Sequence, residues 1–402
     1  MIRRKEAVLM IGRFIGSVGW PRIIIGLFLL SLFVTAPFVG VSVSSSLSNT
    51  LERFGMNGVL VLAMVPMVQS GCGLNFGLPL GIIAGLLGAT LSIELSGQIA
   101  AAIKAIGLNP YMIVTLSDGT TAEVLNYMAS VVIFLSAICM AVPIAAVLGY
   151  CYGQLLNRVK GDEMMIATYV GFSSVAFMCI AWLLLPFRNP TMIWGYGGSG
   201  LRTTITVSGF WHRILSGLWT IELDFVIPAG TFPFYSSRAW AEHLVIPTGM
   251  FLFMGVMCYL VWLFMKTKTG TALTAVGSNP EFAHASGIDV DRTRTVSVVL
   301  STILGAIGIL VYQQSFGFIQ LYMGPFYMAL PAVAAILLGG ASVNKATIWN
   351  VIIGTFLFQG ILTMTPSVIN NILQTDMSEV IRIIVSNGMI LYALTRKVQV
   401  KR

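Results

Sequence analysis

The chain has 402 residues, 56% of them hydrophobic and only 9% charged, with a formal net charge of +8. Soluble domains carry about a quarter charged residues, so a chain this apolar takes lipid as its solvent. Its basic residues flank apolar runs (Arg3, Arg4, Lys5 and Arg13; Arg158 and Lys160; Arg396, Lys397, Lys401 and Arg402), a pattern that orients membrane spans and argues against nucleic acid as a partner.

Charge-free runs predict about ten spans, each crossing needing about 20 residues when complete. The first is Ile23 to Gly40, long enough to span and lacking a small-residue cleavage site, hence a membrane helix rather than a signal peptide. Asn57 to Ser70 and Gly77 to Ile93 form a pair; Tyr127 to Tyr150 and Met164 to Pro186 follow. Then come Leu244 to Met265, Val296 to Gln313, Phe326 to Gly340, Ile348 to Leu362 and Ile383 to Thr395. With the N-terminus inside, alternation places most Lys and Arg on cytoplasmic segments, and both termini are expected there.

Two external segments are long. Leu95 to Asn126 contains AAAIKAIG, which suits an amphipathic surface helix. Phe187 to His243 is rich in Gly, Trp and Tyr; it reads either as an ordered lid or as a docking surface for an external partner.

The stretch Gln69 to Gly77 interrupts an apolar run with three Gly and Asn75. Bare backbone at membrane depth is tolerated only against protein or a watery cavity. The interruption is therefore either part of a transport passage or a tight turn at a membrane face. Phe316 to Pro331 is also irregular, because Pro325 and Pro331 break a long helix, and a half-span with a Gly-rich turn follows. Tyr322, Phe326 and Tyr327 there serve packing or cradle a ligand. Ionisable residues within the spans are almost absent; Arg382 is the exception, with Glu379 one turn earlier to pair with it.

No G-x-x-x-x-G-K-[ST] phosphate loop, nucleophile–base pair or metal spacing occurs, so neither catalysis nor a cofactor is expected. Cys72, Cys139, Cys151, Cys179 and Cys258 lie in or beside apolar runs and read as small hydrophobes. A conduit without an engine of its own needs a second protein. The polar island at 266–295, between two charge-free runs, offers the handle. Within it Asn279 or Ser278 can cap a short helix opening on Pro280 and Glu281, which Gly287 ends. Phe282 and His284 are then available to a cytoplasmic partner. A carrier acting alone on an ion gradient, and a ligand-binding scaffold, are the competing classes.

The island TGTALTAVGSNPEFAHASGIDVDRTR resembles the cytoplasmic loop of permeases in the ribose/galactose and branched-chain amino-acid group of ABC importers. Thr267, Gly270, Ala275, Val276, Gly277, Asn279, Pro280, Ala283, Gly287 and Ile288 fill that pattern; His284 stands where a second Ala is common. SGCGLNFGLPLGIIAG, YMALPAVAAILLGGAS and VKGDEMMIATYVGFSS are similar to further segments of the group, the last closer to its nucleoside branch. The inserts Leu95 to Asn126 and Phe187 to His243 depart from the pattern.

The resemblance implies an all-α polytopic bundle forming a single permease domain over 1–402, with broken helices and a cytoplasmic coupling helix. It implies ABC ATPase subunits on the loop, a second permease subunit, an extracytoplasmic solute-binding protein and a bacterial inner membrane. The coupling residues it points to are Gly277, Asn279, Pro280, Glu281 and Gly287. Gln69, Asn75, Phe76 and Tyr322 are expected along the path of a neutral sugar or nucleoside.

Overall fold

The computed structural model describes residues 20–115, 121–193, 200–227, 240–342, 345–373 and 377–395. The basic clusters at 3–13 and 396–402, and the side chain of Glu379, lie outside what is described. The first half of the chain forms α1 (Trp20–Thr35), α2 (Val43–Leu62), α3 (Met64–Gln69), α4 (Leu78–Glu94), α5 (Ser96–Ala105), the paired strands β1 (Tyr111–Thr115) and β2 (Thr121–Leu125), α6 (Tyr127–Arg158) and α7 (Glu163–Leu184). The second half forms β3 (Thr204–Thr206), β4 (Thr220–Ile227), β5 (Trp240–Pro247), α8 (Thr248–Lys266), α9 (Lys268–Ser278), α10 (Pro280–Ala285), α11 (Val290–Phe316), β6 (Phe318–Gln320), α12 (Gly324–Leu338), α13 (Ile348–Leu373) and α14 (Ser378–Thr395). The architecture is a helical bundle, and among the described residues its strands form three two-stranded ladders.

Each expected apolar run falls on a helix, but not every helix spans alone. Among the described residues seven stretches are long and apolar enough to cross a membrane, and α4 with α5, bent by 55°, makes an eighth if counted as one span, against the about ten expected. Helix α12, at 15 residues, is shorter: Pro325 stands in its first turn and Gly339 caps its end, while Pro331, expected to break it, lies inside it. Helix α5 turns Ser96 and Ala100 inward and leaves Gly97, Gln98 and Lys104 exposed, the surface helix expected of AAAIKAIG.

Several boundaries differ from the sequence reading, that of the second span most. The second span starts at Val43, well before Asn57, and runs to Gln69. Ser42 caps it by accepting a hydrogen bond from the Ser45 amide at 3.2 Å. Ser48 and Thr50 return their hydroxyls to the carbonyls of Ser44 and Ser46, so a serine-rich stretch that looks like a loop is satisfied as helix. Glu52 and Arg53 therefore lie inside a span, which corrects the expectation that ionisable residues there are almost absent.

Helix α11 is the axis of the bundle. It runs antiparallel to α2–α3: Ser315 meets Glu52, Ser301 meets Ala63, and Ser297 meets Ser70. Gly81 lets α4 lie backbone to backbone on it, since a Cβ there would sit 2.7 Å from the Thr302 carbonyl oxygen. The 27 residues of α11 reach about 40 Å at 1.5 Å per residue. Its start abuts 266–289 and its end abuts the described residues around Val207 and Arg213, so these two segments occupy opposite ends, here called the loop face and the insert face. Val43–Gln69, α11 and α13 are mostly buried, whereas α1, α6, α7 and α8 leave most of their surface outward.

The described part of the insert Phe187 to His243 is an ordered cap continuous with the core. Arg213 and Val207 donate backbone hydrogen bonds to the carbonyls of Gln314 and Gly317 (2.7 and 3.0 Å). β3 pairs antiparallel with β6, and Trp211 is fully buried. β4 and β5 form a hairpin whose Val245 amide donates to Ser48 Oγ on α2 at 2.8 Å.

Candidate functional site

The loop face is a set of short, well-capped helices. Thr267 Oγ1 accepts from the Gly270 amide (3.3 Å) to start α9. Asn279 Oδ1 accepts from the Phe282 amide (3.0 Å) to start α10, with Pro280 in its first turn and Glu281 beside the positive helix end. Gly287, at φ +83°, ends it; its amide reaches the His284 carbonyl and the Ile288 amide reaches that of Ala283, both at 3.0 Å. Asp289 Oδ1 then caps α11 by accepting from the Arg292 amide (3.0 Å). Ala283 is tucked inward, while Glu281, His284 and Phe282 (69% exposed) face outward.

Gly277 joins this loop to the broken span. A Cβ at Gly277 would lie 2.1 Å from the Gln69 carbonyl oxygen and 3.0 Å from the Gly71 amide nitrogen. Gly71, at φ +78°, faces the Gly277 Cα in return. Backbone thus touches backbone, and only hydrogen fits between. The break itself is a turn at the loop face, joining the end of one span to the start of the next, rather than an opening halfway through the bundle.

The break is hung on three other elements. The Gln69 side-chain amide donates to the Ala346 carbonyl just before α13. The hydroxyls of Ser70 and Ser297 on α11 are 2.7 Å apart. Asn75, fully buried, donates to Ser301 Oγ at 2.8 Å and accepts from the Tyr152 hydroxyl of α6 at 3.3 Å. Burial pushes the Cys72 thiol up, consistent with a packed and not a reactive cysteine. Beside the break, Arg294 Nη1 meets Glu163 Oε1 at 3.0 Å, with the two side chains only 10% and 12% exposed. Gly71, Glu163, Arg294, Glu281 and His284 line an open cleft of about 570 Å³.

The structure gathers Gly277, Asn279, Pro280, Glu281 and Gly287 at one face, with Gln69 against Gly277; Asn75 lies deeper, between Ser301 and Tyr152. Phe76 is half-buried beside a small apolar cavity of about 170 Å³ shared with Phe172 and Phe326. Tyr322 stands apart: its hydroxyl donates to the Leu201 carbonyl (3.0 Å) at the insert face. Residues that sequence reasoning missed are the Glu163–Arg294 pair and the small polar side chains Ser297 and Ser301. Their signal was hydroxyls spaced four apart along an otherwise apolar helix.

The family described as "Branched-chain amino acid transport system / permease component" matches residues 46–393. A nucleoside ABC transporter permease protein of Lactococcus lactis subsp. cremoris is 21% identical over 245 residues, 60% of this chain and 61% of that protein. An autoinducer 2 import system permease protein of Klebsiella pneumoniae subsp. pneumoniae is 32% identical over 108 residues, 27% of this chain and 30% of its own length. Another autoinducer 2 import system permease protein, from Escherichia coli O157:H7, is 30% identical over 129 residues, 31% of this chain and 38% of its own. The chain thus spans less than two thirds of the length of the curated relatives it matches. No solved structure matches.

Proposed function

The chain belongs to the family of permease components of branched-chain amino acid transport systems, and from that premise we propose that it is the membrane-spanning subunit of an ATP-binding-cassette importer for a small neutral solute of the sugar or nucleoside class. The functions of its relatives, nucleoside transport and autoinducer 2 import, support that class of cargo. In this reading ATPase subunits seat on the loop face, and a second permease subunit completes the path. An extracytoplasmic binding protein delivers solute to the insert face. Lys160, Lys266, Lys268 and Arg292 crowd the loop face, which fits a cytoplasmic side in a bacterial inner membrane.

The observation that carries the reading is the backbone contact between Gly277 and Gln69–Gly71. A partner gripping the exposed Glu281, Phe282 and His284 displaces α10 and the end of α9. Because nothing compressible separates Gly277 from Gln69, that displacement passes directly into the break. Hydrogen bonds to Ser297, Ser301 and Ala346 then carry it into α11 and toward α13. Packed interfaces of this kind shift between discrete arrangements rather than yield gradually.

The test is uptake of labelled D-ribose and adenosine into liposomes holding the chain with its ATPase subunits. Uptake of one probe is expected to require both the ATPase subunits and ATP. Gly277→Ala is expected to leave ATP hydrolysis running while uptake falls by about tenfold, the effect of about 1.4 kcal/mol lost in coupling. Gly255→Ala, where a Cβ meets nothing within 4 Å, is the control. Sodium- or proton-driven uptake by the chain alone overturns the reading.

A further inference from the structure

We infer that a polar cavity at the insert face, between α2, α11, α13 and α14, is a binding site for a neutral, hydroxyl-rich solute. The inference rests on the importer reading for the cargo class but on its own geometry for the place. The cavity measures about 460 Å³, within the 300–1,000 Å³ typical of small-molecule sites. It lies at the end of the bundle where the β4–β5 hairpin reaches α2, one turn before Glu52.

Its lining is unusual for a protein so poor in charge. Asn49, Glu52 and Arg53 come from α2, and Arg382 from α14. Glu52 and Arg53 lie in the insert-face part of the Val43–Gln69 stretch, level with Ser315 at the end of α11. Glu52 is held in place by Ser315, whose hydroxyl donates to Oε1 at 2.6 Å. A carboxylate accepts about four hydrogen bonds, so capacity remains for a ligand.

The α13 wall adds acceptors. Pro366 has no amide hydrogen, so the Leu362 carbonyl one turn earlier loses its helical partner, and both residues border the cavity. Thr363 and Ser367 donate to the carbonyls of Gln359 and Thr363 (2.8 and 3.1 Å), leaving their oxygen lone pairs as acceptors.

The charge set decides the ligand. A carboxylate beside the guanidiniums penalises phosphates and carboxylates; the guanidiniums penalise cations. Hydroxyls, which donate to Glu52 and the Leu362 carbonyl and accept from Arg53 and Arg382, satisfy both. Met56 and Phe316 supply apolar wall for the face of a sugar ring. None of Gln69, Asn75, Phe76 and Tyr322 lines this space.

The full-length chain in lipid nanodiscs, without ATPase subunits or ATP, is titrated with D-ribose and with adenosine, and binding is read by calorimetry. One probe is expected to bind. Glu52→Gln and Ser367→Leu, the first removing a charged acceptor and the second filling the space, are each expected to weaken binding by about tenfold or more. Unfolding curves for both variants verify the fold. Binding of neither probe, or wild-type affinity in both variants, overturns the site. Unchanged solute binding with loss of binding-protein docking would assign the cavity to a protein partner, and also overturns it. Failure of ATP-driven uptake bears on the importer reading alone, because this titration involves no ATP.

Discussion

At the scale of single residues, burial decides which contacts matter. Two ion pairs flank the loop face. Lys160–Asp291 is short, at 2.7 Å, but its side chains are 55% and 53% exposed; such pairs contribute about 0–1 kcal/mol. Arg294–Glu163 is slightly longer yet nearly enclosed. Removing one partner of a buried pair strands the other charge and costs about 3–5 kcal/mol. Glu163→Gln is therefore expected to lower thermal stability strongly and Asp291→Asn hardly at all, measured by unfolding of the purified chain in detergent; equal effects would refute the burial argument. The Asn279 cap acts locally. Asn279→Ala is expected to cost about 1 kcal/mol, enough to fray a helix of six residues while the bundle stays intact. Hydrogen exchange should speed up across residues 280–286 and nowhere in α11.

At the scale of elements, the polar pegs of the break have a definite energetic role. Asn75→Leu would leave the buried Tyr152 hydroxyl without its acceptor, at a cost of about 1–3 kcal/mol. The expected outcome is lower stability together with altered uptake; altered uptake at unchanged stability would make Asn75 a path-lining group and not a peg. What could be read from sequence follows the range of the cause. The caps at Asn279, Pro280 and Gly287 depend on residues within four positions, so the α10 boundaries were legible. The glycine-rich break was legible for the same reason. The contact of Gly277 with Gly71 and the pairing of Glu163 with Arg294 join distant segments, and glycine or charge alone does not name its partner. The start of α2 was hidden because Ser44, Ser46 and Ser48 favour loops in isolation, and only the surrounding helices make the helical alternative win. Tyr322 lies four residues before Phe326, which shares the small cavity with Phe76, while its own hydroxyl donates to the Leu201 carbonyl; chain distance alone names neither neighbour.

At the scale of the molecule, the exposed surface and the axis of α11 make one geometric claim: a bundle sheathed in lipid with two unlike polar ends. Tyr169, Phe177 and Ile180 on α7 are more than half exposed, as is Tyr259 on α8. Surfaces of this kind are stable against acyl chains or an equally apolar partner. Trp219, at the base of the β4–β5 hairpin, and Phe282 on α10 are 72% and 69% exposed. They sit beyond opposite ends of a helix about 40 Å long, close to the 40–45 Å of a bilayer with its headgroups. Trp219→Cys and Phe282→Cys, each introduced into a background with the native cysteines replaced, should therefore react with a membrane-impermeant maleimide from opposite sides. In intact cells Trp219→Cys is expected to label and Phe282→Cys to label only after permeabilisation, because the Lys- and Arg-rich face stays inside. Labelling of both in intact cells would break the opposite-ends geometry. Labelling of Phe282→Cys alone would keep the geometry and reverse the orientation, and an ATPase working from the cytoplasm could then not grip this loop.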